Sequence, residues 1–425
     1  MEEKNLALKA IQKKLVGKKL SYREIYAVMD EIAENRLGDI LTTYFVASGY
    51  SKGFSNDEIY YLTKAMVETG DHLDFKGIIA DKHSIGGVPG TRSTLIVVPI
   101  IAAAGYIIPK SSSRAITTPA GTADAMEVLA KVTFTKEEIY KIVEKTNGCV
   151  VWGGSFKIAP ADDEIIKIEK PLMYESYDKV LVSVMAKKIA FGSNHVVIDL
   201  PYGPSVKIHH REDAELLDRK FKFLANKFDI HLEAVINKVY EPAGRGVGPL
   251  LEARDALKVL EQADDRPVPL EEKSLELAET LLKLCLEDSS KEKKEEIKTK
   301  HENVHNWVKD ILKSGAALKK FREIIEAQKG DPNIISKDLK PAGYKKRMVS
   351  DVRGKITGVN NINISTIAKI LGAPHDKDCG IFLQKRIGDK VQVGEELMIF
   401  YSNTEYRLNE AVDSLELFSI YDIER

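Results

Sequence analysis

The chain has 425 residues, of which 44% are hydrophobic, so it is long enough to form two or three domains with sizeable cores. Its 63 lysines and arginines are balanced by 64 aspartates and glutamates, which gives a formal net charge of -1. This balance excludes a general electrostatic attraction to nucleic acid or to an anionic membrane, so any anionic ligand must be held by a local site.

The cysteines are odd in number and far apart: Cys149, Cys285 and Cys379. This spacing argues against a disulfide framework and against a thiolate metal site, so we expect free thiols in a reducing cytoplasm and no bound metal. The N-terminus shows no apolar signal core, and the longest apolar stretch, residues 95–108, is too short to cross a bilayer. We therefore predict a cytoplasmic protein with no membrane partner.

Residues 5–70 carry apolar side chains at helical spacing with charged residues between them. In two segments, Ser21 to Glu24 and Ser55 to Glu58, a serine is followed three residues later by a glutamate, which is the capping-box pattern of helix starts. Residues 163–190 are helical again and end near Gly192. The pattern predicts a small all-helical unit that is built from two separate segments.

Between these segments, and again after Gly192, strands alternate with helices, which is typical of an α/β domain. Residues 95–98 could form a strand or a buried helix, and the glycine-rich turn before them favours the helix. From about Ala342 the pattern turns to short strands joined by tight turns. We predict an α/β multidomain protein with a small all-helical domain (1–70 plus 163–192), a large α/β domain with a mixed sheet (71–162 plus 193–340) and a C-terminal β-rich, lipoyl-like α+β domain (341–425).

The segment from Lys82 to Thr94 combines glycines, hydroxyl side chains and basic residues in one loop. Glycines let backbone N–H groups approach an anion closely, and hydroxyls together with Lys82 supply further donors. A helix that begins after the loop would add the positive end of its dipole. An ordinary glycine-rich turn is the alternative, but the number of donors favours a phosphate cradle.

A second segment, Lys110 to Thr122, holds five hydroxyl side chains before Pro119, together with Arg114. A flexible polar linker is the alternative. Linkers, however, rarely contain an Ala-Ile pair and rarely lead straight into a helix. We interpret the segment as a second anion-binding turn, which would grip the same phosphate from another side.

The second helical segment, residues 163–190, indicates little about function by itself. Ser183 and Lys187 are four residues apart and share one helix face, but a lysine there is usually a solvated charge. Glu169 and Glu175 become candidates only if they lie in a cleft.

Together these segments resemble the thymidine and pyrimidine nucleoside phosphorylase family, including its archaeal AMP phosphorylase branch. The resemblance runs in order through residues 65–70, the His83 loop, the loop at Ser113 and Arg114, residues 159–162, the Ser183 helix and the C-terminal domain. It implies two domains that close over a cleft, with phosphate on the α/β side and the base on the helical side. It also implies a homodimer through helical faces.

The resemblance implies roles for individual residues. Positions that hold phosphate match Lys82, Ser84, Ser93, Ser112 and Thr122. Positions that bind the nucleoside or nucleotide match Gly87, Ser113, Arg114, Ala115, Ile116, Thr117, Thr118, Ser183, Lys187 and Lys207. The catalytic positions match Glu175, the acid that protonates the leaving base, and His83, which is the competing donor or a group that orients the sugar.

Some positions depart from the AMP phosphorylase branch. That branch has an aspartate where this chain has Glu175, and Lys82 is similar to the pyrimidine enzymes instead. Glu169 stands where thymidine phosphorylases carry an arginine that contacts the pyrimidine. The branch also carries an additional N-terminal domain, which we do not expect in this protein.

These features predict a pentosyltransferase that uses inorganic phosphate as co-substrate and needs no cofactor. The predicted reaction is phosphorolysis of a nucleoside 5′-monophosphate (AMP, CMP or UMP) to free base and ribose 1,5-bisphosphate. The alternative is a thymidine or pyrimidine nucleoside phosphorylase that produces (deoxy)ribose 1-phosphate. A second anion pocket, for the 5′-phosphate, would draw on Arg114, Lys207, Lys188 or Arg92.

Two further classes match fewer of these features. A phosphoribosyltransferase of related fold would hold magnesium with an acidic pair in the second loop, where this chain has hydroxyls. A scaffold protein would have no need of intact anion loops, and its lipoyl-like domain lacks a lysine in the expected modification turn.

Overall fold

The computed structural model describes residues 2–115, 118–154, 157–169 and 176–425. Three predicted site residues, Ile116, Thr117 and Glu175, lie outside the described residues. Within the described ranges, no helix combines the length and the apolar composition needed to cross a membrane.

The elements follow one another in four groups along the chain. The first is helical: α1 (Glu2–Leu15), α2 (Tyr22–Ala33), α3 (Gly38–Lys52) and α4 (Asn56–Glu68). The second alternates: β1 (Ala80–Ser84), α5 (Thr94–Ala103), β2 (Ile108–Ser112), α6 (Thr122–Glu127), α7 (Lys136–Thr146), β3 (Gly148–Trp152), α8 (Pro160–Glu169) and α9 (Tyr177–Ala190).

The remaining two groups complete the α/β part and form the C-terminal part. The third group is β4 (His195–Tyr202), α10 (Arg211–Lys227), β5 (His231–Lys238), β6 (Gly246–Val247), α11 (Pro249–Leu260), α12 (Val268–Glu287), α13 (Lys291–His301), α14 (Val304–Lys313) and α15 (Ala316–Ala327). The fourth is β7 (Tyr344–Val349), β8 (Gly354–Val359), α16 (Asn361–Leu371), β9 (Gly380–Leu383), β10 (Lys390–Val391), β11 (Glu396–Ser402), α17 (Glu405–Asp413) and β12 (Tyr421–Glu424), with short 3-10 turns at Ser336–Asp338 and Ser414–Glu416.

Both predicted capping boxes are confirmed at the starts of α2 and α4. The side chain of Ser21 accepts from the backbone N–H of Glu24, and the Glu24 side chain accepts from the backbone N–H of Ser21. Ser55 and Glu58 form the same reciprocal pair. These bonds satisfy N–H groups that the first turn of a helix leaves without intrahelical partners.

Helices α1, α2 and α4 share one hydrophobic cluster with α8 and α9, which come much later in the chain. The same cluster continues without a break into β4 and α10, through residues such as Ile198 and Phe221. The predicted domain boundaries therefore stay a prediction, because apolar packing alone does not separate the helical unit from the α/β part.

The α/β part is built on parallel strands. Strands β1, β4 and β5 form one sheet in that order, and β2 pairs with β3. An isolated parallel bridge between Ile79 and Ile107 connects the two groups. Because the strands are parallel, their carboxyl ends meet at one edge, where ligands bind in open α/β folds. Ser84, Ser112 and Trp152 lie at this edge.

Residues 95–98 form part of a helix, as the glycine-rich turn favoured. Helix α5 is apolar on every side and contributes residues such as Leu95 and Ile100 to the largest hydrophobic cluster. A helix that is hydrophobic all round must be buried, and α5 lies at the centre of the α/β part. The hydroxyl-rich loop before it is thereby held against a rigid core.

The C-terminal part is antiparallel, as predicted. Strands β9, β11 and β7 pair with β6 of the α/β part in one sheet, and β10, β8 and β12 form a second sheet. Gly388 and Gly394 adopt positive φ at the turns that the sequence predicted. The fold class is confirmed: a helical part, a large α/β part and a strand-rich C-terminal part.

Candidate active site

A large cavity of about 960 Å³ opens between α8 and α9 on one side and the carboxyl ends of the parallel strands on the other. Most of the predicted site residues line it: Lys82, His83, Ser84, Gly87, Ser112, Ser113, Arg114, Ala115, Thr118, Thr122, Ser183, Lys187 and Lys207. Ser93 does not line the cavity but lies buried beneath it. The structure thus brings together residues from both predicted anion-binding segments and from α9.

Lys82 lies on β1 at the floor of this cleft and is only 1% exposed. Its Nζ donates to Ser84 Oγ at 2.5 Å, to Ser93 Oγ at 2.9 Å and to Thr94 Oγ1 at 3.3 Å. Burial lowers the pKa of Lys82 to about 8, and this effect is partly opposed by the nearby carboxylate of Asp199. A buried ammonium whose side-chain hydrogen-bond acceptors are all hydroxyls is a site that a bound anion would stabilise.

Beneath Lys82 lies a buried group of charges around Asp81, a residue that the sequence did not single out. Asp81 Oδ2 is 2.5 Å from Lys188 Nζ, and Asp81 Oδ1 is 3.5 Å from Lys110 Nζ. Two lysines thus share one aspartate, and burial lowers the pKa of Lys110 to about 7, so Lys110 is only partly protonated at neutral pH. When Lys110 is protonated, the net positive charge under the cleft adds to the attraction of an anion at Lys82, because the surrounding medium has a low dielectric constant.

The second anion-binding loop is tied to the start of α6. Asp124 accepts from the backbone N–H of Ala115 at 2.7 Å and of Gly121 at 2.8 Å. Ser112 Oγ is buried in the cleft wall and has no hydrogen-bond partner among the described residues. Because buried hydroxyls are nearly always paired, this atom is a candidate donor to a ligand.

Arg92 joins the two loops to each other. Its guanidinium donates to Thr122 Oγ1 at 3.1 Å and to the carbonyl of Ala120 at 2.7 Å. Its remaining N–H groups contact Glu252, which is fully buried on α11, at 2.5 Å and 2.7 Å. Arg92 therefore has a structural role that keeps both loops in register.

Gly87 is required where the first loop passes Lys207. It has φ +63°, and a Cβ at this position would lie 2.9 Å from Lys207 Cγ. Both the positive φ and the close approach exclude other residues. The glycine therefore allows Lys207 to reach the cleft.

On the helical side, Asp162 organises two of the predicted residues. Its Oδ2 accepts from Ser183 Oγ at 2.6 Å and from Lys187 Nζ at 2.7 Å. Although burial acts in the opposite direction, Lys187 and Lys179 lower the pKa of Asp162 from 3.8 to about 2. Asp162 was missed as a positioning residue, and its place in the Ala159–Asp162 motif was the signal that could have found it.

Glu169, in contrast, does not belong to the cleft lining. It is buried, and its Oε2 lies 2.7 Å from Lys179 Nζ. This ion pair accounts for the carboxylate structurally, so Glu169 does not replace the base-contacting arginine of the thymidine enzymes.

Asp162→Asn is expected to lower the free energy of unfolding by about 2 kcal/mol at neutral pH, because each unit by which folding depresses the pKa of a carboxylate corresponds to roughly 1.4 kcal/mol. Because the folded-state pKa is depressed, the carboxylate stabilises the fold above the unfolded-state pKa of 3.8 and loses this contribution as the pH falls towards 2. Urea unfolding of both proteins at pH 7 measures the difference.

Asp163→Asn is the matched control for this measurement. The carboxylate of Asp163 makes no ion pair with a described residue, and burial raises the pKa of Asp163 to about 6, against the opposing effect of Lys187. Neutralising it is therefore expected to leave stability unchanged or slightly higher at pH 7. Equal destabilisation by both substitutions would contradict the role assigned to Asp162.

Two of the titratable groups among the described residues of the cleft, His83 and Asp163, have shifted pKa values that bear on proton transfer to the base. Burial, reinforced by Lys188, Lys110 and Lys82, lowers the pKa of His83 well below its usual value of 6.5, so its imidazole is neutral at pH 7. Neutral His83 can donate one hydrogen bond and accept another. Asp163, which also lines the cleft, holds its proton more tightly than an ordinary aspartate. No local sequence pattern indicated Asp163.

Of the four candidate cations for a second anion, two are themselves largely buried and pair at 2.5 Å with buried carboxylates. These are Lys188, paired with Asp81, and Arg92, paired with Glu252. Arg114 is 38% exposed and lies 5.0 Å above the ring of Trp152. It contacts both carboxylate oxygens of Glu127 at 2.7 Å and Asp124 Oδ1 at 3.3 Å, but its exposed part remains open to a ligand. Arg114 and Lys207 therefore remain the candidates for a phosphate at the mouth of the cleft.

Protein-family models match three parts of the chain. The helical bundle domain of a glycosyl transferase family matches residues 8–70, and the a/b domain of that family matches residues 76–318. The pyrimidine nucleoside phosphorylase C-terminal domain matches residues 355–419. With the cleft described above, these domains define an enzyme of the pentosyltransferase class.

Curated relatives narrow this class. AMP phosphorylase of Methanococcus vannielii is 43% identical over 97% of this chain and 79% of its own length. AMP phosphorylase 1 of Archaeoglobus fulgidus is 41% identical over 96% and 78%, and AMP phosphorylase of Methanocaldococcus jannaschii is 43% identical over 96% and 79%. The chain belongs to the pyrimidine nucleoside phosphorylase family, in its AMP phosphorylase branch, as predicted.

A solved structure of similar fold supports the architecture. Anthranilate phosphoribosyltransferase from Thermus thermophilus superimposes with a TM-score of 0.61 at 16% identity, over 76% of this chain and 99% of that one. A likeness at this identity concerns the fold alone.

Proposed function

We propose that this enzyme cleaves the N-glycosidic bond of AMP with inorganic phosphate and releases adenine and ribose 1,5-bisphosphate, with CMP and UMP as further candidate substrates. The observation that carries the proposal is the buried Lys82 cradle, in a chain that is 41–43% identical to proteins named AMP phosphorylase. The donors of the cleft support the individual steps.

The attacking phosphate would be held at the floor of the cleft. Breaking the glycosidic bond builds positive charge on the sugar and negative charge on the base, so the enzyme must position an anionic nucleophile beside the anomeric carbon. Lys82, Ser112 and Thr122 would donate to the phosphate oxygens. The positive charge of Lys82, with that of Lys110 when it is protonated, would favour the doubly ionised form of phosphate.

The 5′-phosphate of the nucleotide would lie between Arg114 and Lys207. The two terminal nitrogens of Arg114 bind Glu127, and the partial exposure of Arg114 lets a phosphate reach its guanidinium beside this ion pair. Such a second anion site is what separates a nucleotide phosphorylase from a nucleoside phosphorylase.

The leaving base needs a proton or a hydrogen bond as its negative charge develops. We assign this role to Glu175, by its match to the acid position of the family. Ser183 and Lys187, oriented by Asp162, would contact the sugar and the base. His83 would orient the sugar. Its low pKa leaves the imidazole neutral at pH 7, so it lacks the additional proton that an imidazolium acid would transfer to the base.

The proposal is tested by incubating the purified protein with inorganic phosphate and, in separate reactions, AMP, CMP, UMP, thymidine and uridine, and by quantifying free base. We expect phosphate-dependent release from AMP and none from the nucleosides. Release from thymidine or uridine alone would favour the pyrimidine nucleoside alternative, which Lys82 supports by its resemblance to those enzymes. An absence of phosphate-dependent release from every substrate would refute phosphorolysis.

Lys207→Met provides an internal control for the nucleotide assignment. It removes a cation at the mouth of the cleft and leaves the Lys82 cradle intact. We expect a higher KM for AMP and an unchanged KM for inorganic phosphate.

We also propose a homodimer that uses the helical part. Helix α3 exposes two large apolar side chains one turn apart, Ile40 (75% exposed) and Tyr44 (53% exposed). Exposed apolar residues at this spacing support an interface between two copies, and sedimentation of the purified protein measures its stoichiometry.

A further inference from the structure

A buried carboxylate, that of Asp199, lies beside Lys82 on the neighbouring strand. Asp199 is on β4, which pairs in parallel with β1, and its register partner on β1 is Ser84. Lys82 and Ser84 are two residues apart on β1, so their side chains lie on the same face of the sheet. All three residues line the cleft. The pairing of the two strands therefore places a carboxylate next to the predicted phosphate site.

The hydroxyl of Ser84 connects this carboxylate to the ammonium of Lys82. Ser84 Oγ donates to Asp199 Oδ2 at 2.8 Å and accepts from Lys82 Nζ at 2.5 Å. A carboxylate can only accept and an ammonium can only donate, so the direction of both hydrogen bonds is fixed. The single hydroxyl proton of Ser84 is therefore directed at Asp199. In this arrangement Ser84 is a link through which Asp199 holds Lys82.

The three contacts of the Lys82 ammonium differ in length. Nζ lies 2.5 Å from Ser84 Oγ and 2.9 Å from Ser93 Oγ, whereas Thr94 Oγ1 is 3.3 Å away. An ammonium has three N–H groups, and the longest contact is the weakest. The N–H group that faces Thr94 is thus the one that a phosphate oxygen can take over at the least cost. The two serines hold the ammonium in place while it does so.

A carboxylate at this place also repels a phosphate, and Lys273 offsets that repulsion. Lys273 belongs to the second turn of α12, and its Nζ lies 2.7 Å from Asp199 Oδ1, the oxygen that does not bind Ser84. Lys273 is 13% exposed and lines the cleft. Its other carboxylate contact, with the half-exposed Glu276, is longer at 3.6 Å. With Lys82 protonated, the two lysines and Asp199 together keep a net positive charge at the floor of the cleft.

Asp199 and Lys273 also have opposite effects on the charge state of Lys82. Burial is the main reason why the pKa of Lys82 falls to about 8, and Asp199 raises this pKa while Lys273 lowers it. Neutralising both residues together therefore disturbs Lys82 less than neutralising either one. This difference makes the pair accessible to experiment.

We propose that Asp199 and Lys273 are a positioning pair for inorganic phosphate. Asp199 fixes the ammonium of Lys82 through Ser84, and Lys273 cancels the negative charge that Asp199 would otherwise present to the anion. This inference rests on the phosphate-binding role of Lys82 in the proposed function. The two residues lie on a strand and a helix that are far apart in the chain, so no spacing pattern reveals the pair.

The test is calorimetric titration of the full chain with inorganic phosphate in the absence of nucleotide, so that binding is measured without turnover. Lys273→Met removes the compensating charge, and we expect it to weaken phosphate binding at least ~10-fold. Adding Asp199→Asn to this variant removes the repulsion and keeps an oxygen that accepts from Ser84. We expect the double variant to bind phosphate within about 3-fold of the parent, because neutralising both members of a buried pair costs little.

Two further variants separate charge from hydrogen bonding. Asp199→Leu in the Lys273→Met background is equally uncharged but has no acceptor for Ser84, so we expect the regained affinity to be lost. Lys283→Met, at an exposed lysine of the same helix that pairs with Glu279, is the matched control and should bind phosphate as the parent does. Melting temperatures show whether each variant is folded.

The outcomes distinguish this pair from the phosphate site itself. Parent-like affinity in Lys273→Met would overturn the pair, and so would a folded double variant of Asp199→Asn and Lys273→Met that binds phosphate at least ~10-fold more weakly than the parent. The double variant decides the question even if Lys273→Met alone does not fold. In either case the proposed function stands if the parent binds phosphate and Lys82→Met does not. A parent chain that binds no phosphate would overturn both.

Discussion

Lys82→Met is expected to lower kcat/KM for inorganic phosphate by at least ~10²–10³-fold, the loss that follows removal of a single preorganised donor from an active site. Lys82 is the buried cation among three hydroxyls at the floor of the cleft, so its charge has no substitute at that position. Initial rates of base release at varied phosphate concentration measure the change.

The same variant should not unfold the protein. The lysine is 1% exposed, and burial lowers its pKa to about 8, so keeping its charge at this position costs free energy. Methionine preserves most of the side-chain volume and removes that cost, so we expect an unchanged or higher melting temperature. Lys76→Met, at an exposed lysine shortly before β1, is the control and should keep full activity. If the kinetics of Lys82→Met with inorganic phosphate equalled those of the wild type, the phosphate-binding role of Lys82 would be contradicted.

Glu175→Gln is expected to lower kcat for AMP by ~10²–10⁴-fold, the usual contribution of a general acid. Glutamine keeps the shape and the hydrogen-bonding capacity of the side chain but cannot transfer a proton. Steady-state kinetics between pH 5 and 8 would show the loss and the accompanying change in pH dependence.

Asp163→Asn is the comparison that assigns the acid. A carboxyl acid must carry its proton, and the pKa of Asp163 is raised to about 6 by burial, so activity that depended on it would fall as the pH rises through 6. The 5′-phosphate also titrates near pH 6, but it does so in every variant. We expect a loss smaller than that of Glu175→Gln. If kcat fell further in Asp163→Asn than in Glu175→Gln, and the decrease in activity as the pH rises through 6 disappeared, the general acid would be Asp163.

Local sequence patterns predicted the elements whose formation depends on residues that are close together in the chain. The capping boxes at Ser21 and Ser55 depend on side chains three residues apart, and both form. Helix α5 could be distinguished from a strand because a glycine-rich turn precedes it and its apolar run is long enough for a helix. The two predicted anion-binding segments were recognisable because glycines and hydroxyls accumulate within a few consecutive residues, and both segments reach the cleft.

Two element boundaries differ from those that the sequence predicted. Strand β2 extends to Ser112, inside the segment from Lys110 that was predicted to be an anion-binding turn, because parallel pairing with β3 continues as far as the pair of Ser112 and Trp152. Helix α8 begins at Pro160, before the predicted start at 163, since proline is well accommodated in the first turn of a helix.

The sequence by itself determined the family, the order of helical, α/β and strand-rich parts, and a set of candidate site residues most of which line the cleft, because short motifs with specific residue types carry those signals. The tertiary structure alone decided which charges meet. Asp162 reaches Lys187, Asp81 reaches Lys188, and Asp288 reaches His195 from distant parts of the chain. Such contacts arise when strands and helices pack side by side, and a carboxylate far along the chain leaves no local pattern that names its partner. This packing also decided that Arg92 and Glu169 serve the structure, because each lies against a buried partner.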